Sequence, residues 1–246
     1  VHDKAVARIP LPAGYHEIVF SGDGRHAFIS SRQSQSLTIV DAATFKVVRE
    51  VDLGFEPISL MFADTSALLW VVDAKAGKIH RFDVKGHAVD HWMLEPGLGP
   101  IKLTPDGRYA LVVNPSQHLI HVVDVATAKE KHRITLSGQP YDILFSAQYA
   151  YIRTLQNEQI GLLALSSLDG EQPILKLVPA GAGGLAAMHN LPRASSMALT
   201  LDRSGAFFAT PSERTLYHYM EGMNSPSSGL KTYGHTPLAA MVVQRG

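Results

Sequence analysis

The residues with the most obvious chemistry lie near the end of the chain. His218, Met220, Met223 and His235 fall within one short stretch, and a second pair, Met188-His189, lies upstream. Imidazole and thioether groups together suit copper(I), and either can be an axial ligand of haem. This set of His218, Met220, Met223 and His235 is therefore the candidate metal or haem site. A packed interior explains the same residues, because Met routinely fills gaps in cores and His218 and Met220 share one face of a strand.

Other chemistries find less support. The chain has no Cys, which excludes disulfides, thiol catalysis and thiolate metal sites, and it has no Gly-x-Ser-x-Gly elbow. Gly181-Ala182-Gly183-Gly184-Leu185-Ala186 follows an apolar run and superficially matches a dinucleotide fingerprint, but Pro192 comes too soon for a crossover helix. It reads as a loop. Glu56, Glu95 and Glu158 could supply a carboxylate pair, yet nothing in their spacing fixes a separation. Six aspartates (Asp23, Asp41, Asp83, Asp106, Asp124 and Asp202) fall where turns are expected. No catalytic residue is assigned.

The elements that must position these residues repeat. Gly99 to Gly138 contains four short β-branched and apolar runs separated by turn residues, the pattern of a four-stranded antiparallel meander. Its second run, Leu111-Val112-Val113-Asn114, has counterparts at Phe28, Trp70, Tyr151 and Phe207, at steps of 42, 41, 40 and 56 residues. Four-stranded units at a period near 40 are what a β-propeller requires, since each blade covers its neighbour's exposed face. The expected fold is all-β, a propeller of four-stranded antiparallel blades with five recognisable repeats. Lys4–Leu11 reads as the last strand of one partial blade and Pro237–Gly246 as the first strand of another, so a segment of a seven- or eight-bladed propeller is expected, forming a single domain over 1–246.

Function is expected where the repeats become irregular. The step of 56 marks an insertion, Ala180 to Ala194, before the fifth repeat. In a propeller, the links from blade to blade emerge on the same side as those between strands two and three. The first set carries Tyr15, His16, Glu56, Gln139, Tyr141, His189, Arg193, Tyr233 and His235. The second carries Arg32, Lys75, His118, Asn157 and Arg214. The candidate ligand-binding residues are His16, Glu56, Gln139, Tyr141, His189, Arg193, Tyr233 and His235.

Composition narrows the partners. Twenty-two Lys and Arg balance 22 Asp and Glu, and the cations are scattered singly, which excludes a nucleic-acid footprint. No run approaches the roughly 20 apolar residues of a membrane span. Val1-His2-Asp3-Lys4 lacks the apolar core of a signal peptide. With 46% hydrophobic and 18% charged residues, the chain can bury a large core.

Three signatures together resemble a known family: the aromatic-led second strand, Pro105-Asp106-Gly107-Arg108 before it, and turns such as Asp41-Ala42-Ala43-Thr44 and Asp124-Val125-Ala126-Thr127 after it. They are similar to those of YVTN-repeat propellers, related in fold to the cytochrome d1-like haem propeller of nitrite reductase. The resemblance covers nearly the whole chain, and it implies a periplasmic or extracellular location. Two functions follow as expectations. One is a non-catalytic propeller that binds a protein partner or small ligand on the face of the blade-to-blade links. The other is a redox-associated propeller that holds haem or copper beside an electron-transfer partner.

Overall fold

The computed structural model describes residues 7–14, 17–155, 159–179, 197–210, 215–222 and 227–232. Among them are five four-stranded antiparallel sheets and almost no helix. Each sheet is a meander of four consecutive strands. Blade one holds β1 Ile18–Phe20, β2 His26–Ser31, β3 Ser36–Asp41 and β4 Lys46–Asp52, and blade two holds β5 Pro57–Ala63, β6 Leu68–Asp73, β7 Lys78–Phe82 and β8 Ala88–Met93. Blade three comprises β9 Ile101–Leu103, β10 Tyr109–Asn114, β11 Leu119–Asp124 and β12 Lys129–Thr135. Blade four runs through β13 Pro140–Phe145, β14 Tyr149–Thr154, β15 Gln159–Ala164 and β16 Leu175–Pro179. Blade five runs through β17 Met197–Leu199, β18 Gly205–Thr210, β19 Thr215–Met220 and β20 Ser227–Thr232.

The chain forms two compact units, and their division passes through blade three. Unit one comprises Val1–Leu103, Gly107–Val112 and Val123–Glu130; unit two comprises Thr104–Asp106, Val113–Val122 and Lys131–Gly246.

Within unit one, blades pack face to face. Phe28, Leu37 and Ile39 of blade one meet Leu60, Leu69, Val71 and Phe82 of blade two. The opposite face of blade two, with Trp70, Val72 and Ile79, packs on Ile101, Ala110, Val112 and Val123. The second strands β6 and β10 are buried on both faces, which explains their continuous runs of apolar and β-branched residues. Burial of one such side chain stabilises by about 1.5–3 kcal/mol. In unit two, Tyr151, Ile160 and Leu162 of blade four meet Met197, Phe208 and Tyr219 of blade five.

Each blade has two unlike ends. At the hairpin end, side chains close the turns locally. Asp23 accepts from the Ser21 hydroxyl at 2.6 Å and from the Arg25 N–H at 3.0 Å. Thr104 and Thr200 bond Asp106 and Asp202 in the same way, each at 2.6 Å. Between strands three and four, Asp41 accepts from the N–H and hydroxyl of Thr44, and Asp124 from those of Thr127. The other end carries the links between strands two and three and between blades. There Gln35, Gly77 and His118 take the left-handed conformation, with φ of 51°, 65° and 56°. The carbonyls of these three accept from the N–H of Leu53, Leu94 and Leu136. Residues of three different types thus occupy one recurring slot.

One strand expectation is not met over its described part. Residues 7–12 form no strand, and Pro10 and Pro12 lack the N–H that a ladder needs. Ile9 and Leu11 instead pack on Ala27, Ile29 and Val40 of blade one. The stretches Ala180–Ala194 and Pro237–Gly246 lie outside the described residues.

Candidate functional site

Buried polar chemistry gathers at the link ends. Among the described residues, the buried carboxyl, guanidinium, imidazole or amide side chains are Asp73, Asn114, His121, Asp142 and Arg153. Each lies in the half of its strand nearer the link end. Among the described residues, the buried polar side chains at the opposite, hairpin end carry hydroxyls: Ser21, Thr104 and Ser146, with the tyrosines Tyr109 and Tyr219.

In unit one the centre of this chemistry is Glu17, at the head of β1. Its carboxylate accepts from the Leu60 N–H at 2.9 Å and from the Ser59 hydroxyl at 3.3 Å. Ser59 Oγ in turn accepts from the Ile101 N–H at 3.3 Å. One hydrogen-bonded line therefore joins the inner strands of three successive blades. Nearby, Arg32 donates from Nη2 to the Ile58 carbonyl at 3.0 Å. Burial raises the Glu17 carboxyl above the usual glutamate range, and the bonds from Leu60 and Ser59 and the charges of Lys102 and Arg32 oppose the rise. The outcome is a half-buried acid beside two half-buried cations, a setting for polar recognition.

Unit two holds the corresponding chemistry in blades three and four. Asn114 and His121 are fully buried, with Asn114 Nδ2 3.5 Å from His121 Nε2. The Asn114 carbonyl oxygen also accepts from the Gln117 N–H at 3.1 Å, capping the 3-10 turn Pro115–Gln117. Arg153 is 1% exposed and stands opposite Asp142 in the β13–β14 ladder. A fully buried guanidinium is rare without polar company. Farther along, Tyr151 donates to Glu221 Oε1 at 3.1 Å, and burial pushes its hydroxyl pKa up.

The sequence-derived candidates fall unevenly on this frame. Glu56 is exposed in the link before β5. Gln139 and Tyr141 are half-buried at the start of blade four, where the Gln139 carbonyl accepts from the Leu155 N–H at 2.9 Å. His16, His189, Arg193, Tyr233 and His235 lie outside the described residues, as do Tyr15, Asn157 and Arg214. In the metal set, His218 is half-buried and stacked on Phe207 at 4.7 Å, and Met220 is 48% exposed on the same strand. Met223 and His235 are outside the described residues. No group of three or more His, Asp or Glu converges among the described residues.

Sequence reasoning passed over Glu17, Ser59, Asn114, His121, Asp142 and Arg153. One of these had a usable signal. Superposing the repeats puts Arg153 where the other second strands carry Ser30, Val72 and Val113, a charge in an otherwise small or apolar slot.

No family model matches the sequence, and no curated protein matches it. Solved structures do share the fold. One is a functionally unknown protein from Desulfotomaculum acetoxidans DSM 771, with a TM-score of 0.72 and 17% identity over 92% of this chain and 74% of that one. Another is hydrazine synthase from Kuenenia stuttgartiensis, with a TM-score of 0.51 and 16% identity over 89% of this chain and 79% of that one. The fold is a β-propeller built from four-stranded blades.

Proposed function

We propose that this chain is a non-catalytic, extracytoplasmic β-propeller of YVTN-repeat type that binds a protein partner or small polar ligand through the link ends of its blades. The observation that carries this reading is the segregation of buried polar groups. Asp142 and Arg153 are buried and Glu17 is half-buried at the link ends, so charges of both signs stand there at a desolvation cost that an apolar side chain would avoid. Hairpin-end aspartates are exposed and serve their own turns. A ligand with both charged and neutral polar groups, such as a peptide segment, matches the link-end chemistry.

A thermal-shift panel of short peptides, sugars and small anions tests this. A ligand selective for the native state raises the midpoint by mass action. The expected result is at least one ligand that stabilises the wild type and loses its effect in Glu17→Gln or Arg153→Met. Equal stabilisation of wild type and both variants, or no stabilisation by any member of the panel, counts against link-end binding.

A second reading, a redox-associated propeller holding haem or copper, draws on His218 and Met220 of β19, which alternate along one strand and so share a face. Visible absorption and metal analysis of the purified protein decide it. A Soret band or stoichiometric copper, lost on His218→Ala with Met220→Leu, supports this reading, and a colourless, metal-free protein sinks it.

A further inference from the structure

Blade two contains a pair of histidines that neither reading uses. His80 of β7 and His91 of β8 are directly opposite in the antiparallel ladder, so both side chains stand on one face of the sheet. Their ring centroids are 5.6 Å apart and the planes are tilted by 32°. Phe55 stacks on His80 at 4.5 Å, almost parallel at 17°, which fixes the His80 ring. His80 Nε2 is buried and has no hydrogen-bond partner among the described residues. His91 is exposed.

We infer that His80 and His91 form a two-histidine site for a divalent transition ion of the copper(II), nickel(II) or zinc(II) class. Imidazole suits these ions, and copper(II) stands highest in affinity for nitrogen donors. An ion about 2.0–2.1 Å from one nitrogen of each ring places the centroids about 5–6 Å apart, which matches the observed separation. The chain supplies two ligands, and solvent completes the coordination shell from the side of the exposed His91.

Asp90, the neighbour of His91, is engaged by Arg81 through both carboxylate oxygens. It belongs to that ion pair, so it is not counted as a ligand.

The molecule carries its own reporter for this site. Its two tryptophans, Trp70 and Trp92, are both in blade two, and Trp92 adjoins His91 in the chain. Titration of the purified chain with copper(II), followed by tryptophan fluorescence and calorimetry, is the test. The expected result is quenching that saturates at one ion per chain. Binding should weaken at least about tenfold in His91→Ala and in His80→Phe, which keeps a ring against Phe55, and should persist in His87→Ala. His87 is the control because it lies in the same blade, is exposed and is bonded to Asp83. The inference is overturned if wild type shows no stoichiometric binding, if His91→Ala titrates like wild type, or if His87→Ala weakens binding as much as His91→Ala does.

Discussion

The hairpin end and the link end of a blade solve the same problem, satisfying polar groups where a sheet stops, in opposite ways. At the hairpin end Asp41 and Thr44 are three residues apart, and every bond between them is local. At the link end Glu17 finds its partners Ser59 and Leu60 at separations of 42 and 43 residues, one whole blade away. The Asp41–Thr44 closure needs no partner from another blade. Closure across blades makes the link end a shared structure, in which one side chain serves two sheets.

The contrast is sharpest at two glycines that both need a positive φ. A Cβ on Gly77, at the link end, would sit 2.7 Å from the backbone of Glu95 and Pro96, whereas a Cβ on Gly24, at the hairpin end, would meet nothing within 4 Å. Gly77→Ala should therefore destabilise by roughly 2–4 kcal/mol, strain and overlap combined. Urea unfolding measures it. A smaller loss than in Gly24→Ala would break the distinction between the ends.

Glu17→Ala comes next. It leaves the buried Leu60 N–H without its acceptor, at a cost of about 1–3 kcal/mol in the same assay. Gly24→Ala retains its space and pays only for the left-handed backbone, about 1 kcal/mol.

The smallest expected effects are in pH dependence, and the two ends have opposite signs. Glu17 has a raised folded pKa, so the native state holds its proton more tightly than the unfolded chain does. Its contribution therefore falls as pH rises from the usual glutamate value through the raised one. Asp202 is held down to about 2, first by the Thr200 hydroxyl and then by Ser204. Its contribution is present above the usual aspartate value and is lost as pH falls toward about 2. Unfolding midpoints measured across this acid range should change slope in opposite directions for Glu17→Gln and Asp202→Asn. Slope changes of the same sign would contradict the assignment.

This difference in range also explains what could be read in the sequence. Turn signatures such as Asp41-Ala42-Ala43-Thr44 work through neighbours in the chain, so their spacing exposes them, and the recurring second strand exposes the blades. Glu17 and Ser59 look like ordinary strand-edge residues until the fold brings them together. The left-handed slot filled by Gln35, Gly77 and His118 was also hidden, because a backbone angle and a neighbouring N–H define it and no single residue type does. The proposed ligand residues Glu56, Gln139 and Tyr141 were identified from their place in links, which says nothing about burial or partners.

The meander order of the sheets has a consequence for how the protein is made. Among the described residues every sheet consists of four strands consecutive in the chain, so these four-stranded sheets can form as soon as their own fourth strand is made. By the time Met93 has left the ribosome, two complete sheets and the cluster of Phe28, Ile39, Leu60 and Phe82 between them are available to form. Strand edges and apolar faces are thus covered progressively as the chain emerges, which shortens the interval in which a nascent β protein is open to aggregation.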